Sequence, residues 1–90
     1  MRDLKNWNEV TRGMYRYAIG ADTCYEIVIM HQDEGYDILT ANADLYLVGV
    51  RTDKKNNLRF FERELLLSGS VTECLEKAVE DYEESIYNEL

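Results

Sequence analysis

Proline is absent from this 90-residue chain, histidine occurs once, and the two cysteines, Cys24 and Cys74, stand fifty positions apart. Each scarcity excludes something. With no proline and no glycine- or serine-rich stretch there is no linker to divide the chain, so residues 1–90 read as a single domain. A lone histidine, His31, leaves only one place where a Ser/His/Asp or Cys/His arrangement could be built. The cysteines lack Cys-x-x-Cys spacing and read as two buried free thiols of a reduced protein, ahead of a disulfide or a metal pair. The five glycines are scattered, and none forms a phosphate-cradling loop. No apolar run reaches the length of a membrane span, and no basic start with an apolar stretch behind it marks a signal peptide. The expected location is therefore cytoplasmic, with no membrane partner.

What is present in quantity is hydrophobic and acidic. Apolar residues make up 46% of the chain, with seven tyrosines, two phenylalanines and one tryptophan, which separates it from disordered acidic tails. The formal net charge is −8. Such a chain repels nucleic acid and anionic membrane, so its partners are expected among cationic or neutral surfaces.

Pattern along the chain predicts an α+β fold. RDLKNWNEVTR is compatible with a short helix lined by Leu4, Trp7 and Val10 or with a strand beginning near residue 7. MYRYAI and CYEIVIMH are β-rich runs separated by a short glycine-containing segment, the pattern of a hairpin. In the second run Tyr25, Ile27 and Ile29 share one face while Glu26, Val28 and Met30 share the other; both faces are partly apolar, as in a strand at mid-sheet. QDEGYD reads as a loop. ILTANADLYLVGVR suggests a short strand or its approach, a polar kink at Asn42 and a strand from Leu45 to Arg51. TDKKNN is the next turn, and LRFFERELLL favours a strand over the helix that Leu58, Phe61 and Leu65 would also fit. Ser70 and Glu73 form a capping box. Behind it Val71, Cys74, Leu75, Ala78, Val79, Tyr82 and Ile86 recur every three or four positions, so a C-terminal amphipathic helix is expected to pack on one face of an antiparallel β-meander of three to five strands.

Catalysis finds little support in these residues. His31, Asp33, Glu34 and Asp37 cluster in one loop, but the order of a calcium loop is missing and no second histidine is in helical register. No catalytic, cofactor-binding or metal-binding residues are assigned, and the expectation is a protein that is not an enzyme and needs no cofactor. Arg51, Lys54, Lys55, Arg59 and Arg63 surround one predicted hairpin and could touch phosphates. Asp53, Glu62 and Glu64 dilute them and the overall field is negative, so an ordinary charged hairpin is the better reading, without direct nucleic-acid binding.

The pointed feature is ECLEKAVEDYEESIYNEL, residues 73–90, with seven acidic side chains against Lys77 alone. A helix built for stability would interleave lysines among the glutamates. Glu83, Glu84 and Glu89 also crowd the negative end of the helix dipole, where acids are mildly unfavourable. Glu73, Glu76, Glu80, Glu83 and Glu84 recur at helical spacing, and with Asp81 they are the candidate partner-binding residues. A rigid row of this kind imitates the charge of a nucleic-acid backbone. In size, charge and this acidic helix the chain resembles, at the level of class, the small inhibitors that phages and mobile elements direct against host defence, the anti-CRISPR and anti-restriction proteins. TANADLYLVGVR likewise resembles small mobile-element proteins. The resemblance implies a DNA mimic that blocks the basic groove of a CRISPR or restriction nuclease. The alternative is a structural or regulatory protein-interaction module, a homodimer through a sheet edge among its forms, whose acids serve solubility.

Overall fold

Thr23–Ile29 is the stretch whose two alternating faces are both substantially apolar, and in the computed structural model it is the central strand of the sheet. The structure describes residues 1–30 and 37–88. Five antiparallel strands follow one another in chain order: β1 (Asn8–Thr11), β2 (Met14–Ala18), β3 (Thr23–Ile29), β4 (Asn42–Asp53) and β5 (Leu58–Ser70). One helix, α1 (Val71–Asn88), crosses a single face of this meander. The fold is α+β, as the hydrophobic periodicity predicts.

Several boundaries differ from expectation for local reasons. At the N-terminus the strand alternative holds as β1, preceded by a 3₁₀ turn at Leu4–Asn6 capped by Asp3; no helix is lined by Leu4, Trp7 and Val10, since Val10 lies exposed in β1. Ile38–Thr40 is not a strand but a 3₁₀ turn, because the Asp37 carboxylate accepts from the Leu39 backbone N–H at 3.0 Å and holds the chain in a turn. Asn42 does not kink the chain; it opens β4, which runs on to Asp53 and takes up part of the expected turn. The turn itself closes with Asn57 at φ 53°, a conformation asparagine tolerates better than most residues. LRFFERELLL is strand throughout, since each of its residues up to Leu65 pairs with β4. Of the QDEGYD loop and the cluster around His31, residues 31–36 lie outside the described residues.

Pairing register places Tyr15 and Tyr17 of β2, Tyr25, Ile27 and Ile29 of β3, and Ala43, Leu45 and Leu47 of β4 on the side that α1 covers. A bulge at Leu66 lets Leu67 join them although Leu65, two residues earlier, lies on the other face. From the helix come Val71, Cys74, Leu75 and Ala78, all buried. Trp7 closes one end of this core, its ring 5.5 Å from that of Tyr17 and its indole N–H donating to the Met1 carbonyl at 2.7 Å. Val79 and Tyr82 are only half-buried, and Ile86, expected on the apolar stripe, is 44% exposed where the helix runs past the core.

The expectation of two buried thiols holds for Cys74 alone. Both cysteines are free, but Cys24 is half-buried, because alternation along β3 turns it to the uncovered face. β3 also stops short of β4: the last β3–β4 pair is Thr23 with Gly49. Beyond it Val50–Asp53 and Leu58–Phe61 pair only with each other, so the β4–β5 hairpin forms an arm that exposes Leu58, Phe60 and Phe61.

Candidate functional site

The acidic helix begins without a loop. β5 ends at Ser70, whose hydroxyl accepts from the Glu73 backbone N–H at 3.1 Å, while the Glu73 carboxylate accepts from the Ser70 N–H at 3.2 Å. This reciprocal pair satisfies two of the orphan donors at the helix start and sets the direction in which α1 leaves the sheet. Thr72 Oγ1 donates to the Leu39 carbonyl at 2.9 Å and the Val71 N–H to the Ala41 carbonyl at 3.0 Å, pinning the first turn to the 38–41 segment. With the N-terminus held and Cys74, Leu75 and Ala78 buried, the opposite face of the helix has no freedom but to face solvent.

Of the six candidate carboxylates, two are engaged within the fold. Glu73 is the capping residue just described. Asp81 is half-buried and accepts from the Tyr25 hydroxyl at 2.5 Å, tying the middle of α1 to the central strand. Burial, reinforced by this bond, raises the Tyr25 pKa well above the ordinary phenol value.

Glu76, Glu80, Glu83 and Glu84 are exposed. The first three succeed one another at helical intervals of four and three, roughly 5 to 6 Å apart along one side of α1. Their cationic neighbours are few: Lys77 Nζ lies 3.7 Å from Glu80 and Arg2 lies 3.9 Å from Glu83, both at the surface. Solvent-exposed pairs of this kind contribute about 0 to 1 kcal/mol and leave the carboxylates open to a competing cation. Glu76, Glu80 and Glu83 also edge a shallow groove of about 470 Å³ whose floor includes Leu39, Leu75 and Val79. Arg2 lines the same groove, which therefore sets three carboxylates and one arginine around apolar side chains.

The basic hairpin divides. Arg59 and Arg63 turn back to the sheet and pair with Asp22 and Glu26, whereas Lys54 and Lys55 stand exposed at the tip. Among the described residues no three His, Cys, Asp or Glu side chains converge as metal ligands do, and no helix is long and apolar enough to cross a membrane. Comparison with protein-family models, curated proteins and solved structures returns no match to this chain. For one charged residue the sequence indicates the strand face but neither the burial nor the partners: Glu26, on the uncovered face of β3, is 1% exposed and held by Arg16 and Arg63. The available signal was a single carboxylate between Cys24 and Val28 on an otherwise apolar strand face.

Proposed function

We propose that this protein is a non-enzymatic binding protein, acting in the cytoplasm as an inhibitor whose acidic helix face occupies a basic nucleic-acid groove on another protein. The target class is a host-defence nuclease of the CRISPR or restriction type, which the resemblance to small anti-defence inhibitors implies. One observation carries the reading: Glu76, Glu80, Glu83 and Glu84 form an exposed row in which Glu80 and Glu83 meet only the surface cations Lys77 and Arg2, on a helix fixed to the sheet by its capping box and by the Asp81–Tyr25 bond. Because the helix backbone is already fixed, binding has only the glutamate side chains left to order. Lysines and arginines that otherwise neutralise phosphates find carboxylates at similar intervals, and affinity falls as salt rises.

The test replaces Glu76, Glu80, Glu83 and Glu84 together with glutamine, which preserves side-chain length and helix propensity. The variant is expected to fold as wild type, by circular dichroism and melting temperature. Against a nuclease retained from bacterial lysate it is expected to compete with DNA or RNA at least tenfold more weakly at low salt, with a smaller gap at moderate salt. Equal competition by two folded proteins would overturn the mimicry reading.

A second reading rests on a different surface. β5 is an edge strand of thirteen residues, and the arm it shares with β4 exposes Phe60 and Phe61. Such an edge pairs readily with another strand, and a homodimer formed there is insensitive to salt. Sedimentation at low and high salt separates the two readings.

A further inference from the structure

On the face of the sheet opposite α1, Met14, Ala18, Cys24, Val48, Val50 and Phe61 line a concavity of about 800 Å³. Phe61, from the projecting arm, is 77% exposed along its side. The floor is charged. Glu26 accepts from Arg16 Nε at 2.8 Å and from Arg63 Nη2, and the Arg63 guanidinium lies over the Tyr46 ring, 4.2 Å from its centroid. These contacts use one N–H of each arginine, whereas a guanidinium carries five. Both arginine side chains are about half exposed, at 47% and 48%. At the rim Arg59 reaches Asp22 at 3.4 Å. Three arginines and two carboxylates thus line the concavity, an excess of one positive charge on a chain of net charge −8.

We propose that this concavity binds a small amphipathic anion, with an apolar body over Val48, Val50 and Phe61 and a carboxylate or phosphate head between Arg16 and Arg63. Glu26 explains why two arginines converge on an apolar sheet face at all: fully desolvated, it fixes both guanidiniums, and their remaining N–H groups address whatever enters. Planar forks held in this way suit carboxylates and phosphates. Size favours a small molecule, since pockets for such ligands span about 300 to 1,000 Å³. A nucleic-acid strand would bring many phosphates to a molecule whose overall field opposes them. This site is separate from the acidic row, on the other side of the sheet, and either can fail alone.

Two dyes of nearly the same apolar shape provide the test, anilinonaphthalenesulfonate and its neutral counterpart phenylnaphthylamine. The folded protein is expected to bind the sulfonate one to one, with the neutral dye at least tenfold weaker. Arg16→Gln, which leaves Glu26 paired with Arg63, is expected to weaken the sulfonate about tenfold, about 1.4 kcal/mol, and to leave the neutral dye unchanged. Ala18→Trp fills the concavity from an exposed strand position where tryptophan is well accommodated, and is expected to abolish binding of both dyes while the melting temperature holds. Displacement of the dye by decanoate or by decyl phosphate then distinguishes a carboxylate ligand from a phosphate ligand. Equal affinity for the two dyes, unchanged binding by Ala18→Trp, or no displacement by either anion would overturn the proposal.

Discussion

On the face that α1 covers, Tyr25, Ile27 and Leu45 are removed from water by packing against Val71, Cys74 and Ala78; on the other face Glu26, the residue next to Tyr25, is as completely buried beneath two arginines. Adjacent positions of one strand reach the same burial by opposite physics. The covered face is held by apolar area, at roughly 25 cal/mol per Å² removed from water, and its few polar groups are internal ties such as Tyr25 to Asp81. The uncovered face is held by charges that must stay matched, because losing one partner strands the other while replacing the whole set with apolar side chains is often neutral. A sheet with one helix can therefore finish its second face without a second layer, and it leaves half-exposed arginines there.

The comparison breaks first at Ala78, which is 0% exposed between helix and sheet. Ala78→Asp places an unpaired carboxylate in the apolar layer and is expected to cost more than about 4 kcal/mol, enough to unfold a domain of this size. Urea titration followed by tyrosine and tryptophan fluorescence measures it. A midpoint close to wild type would mean that α1 does not seal that face.

Next comes the charged face. Glu26→Ala leaves Arg16 and Arg63 side by side without their shared acceptor and is expected to cost about 2 to 4 kcal/mol, less than a fully buried pair because both arginines keep water contact. Replacing Arg16, Glu26 and Arg63 together with leucine, methionine and leucine is expected to recover most of that loss. If the triple variant is no more stable than Glu26→Ala, the face is not held by charge matching.

The smallest effect is one of pH and belongs to the covered face. Burial, with Asp44 and Glu73 adding negative charge nearby, pushes the Cys74 thiol from 9.0 up to about 11. Because the folded state holds this proton more tightly than the unfolded chain, the associated stability is fully present below about pH 9 and is lost as pH rises towards 11. The slope from one such proton is at most about 1.4 kcal/mol per pH unit. Tyr25, whose pKa is also raised, extends the decline further into alkali. Cys74→Ala is expected to be less stable than wild type at neutral pH but to lose stability less steeply over that window, as chemical denaturation across it would show. Identical slopes would place the alkaline sensitivity elsewhere.

Much of the architecture was legible because its determinants are local. Alternation in MYRYAI and CYEIVIMH, the capping box at Ser70 and Glu73, and the three-and-four spacing from Val71 to Tyr82 each act within a few residues, and the observed elements follow them. The four outward glutamates were readable for the same reason, since helical spacing alone puts Glu76, Glu80, Glu83 and Glu84 away from Cys74, Leu75 and Ala78. Asp37 belongs by sequence to a loop cluster, whereas in the structure it caps a 3₁₀ turn, a competition between side-chain and backbone hydrogen bonds that periodicity does not register.

By itself the sequence determined where strands and helix form and which side of the helix is acidic. Only the tertiary structure decided the use of individual charges. Asp81 looks like one more acid of the row until strand order brings Tyr25, 56 residues away, to its carboxylate. Glu26 is buried because β3 lies between β2 and β4, and because register and the Tyr46 ring bring Arg63, 37 residues on, across to join Arg16. The arm exists because β4 and β5 outrun β3, a difference of lengths that no single segment contains. An ion pair or an overhang depends on which strands are neighbours and in what register, and those are properties of the assembled sheet, whereas helix and strand patterns are properties of the chain.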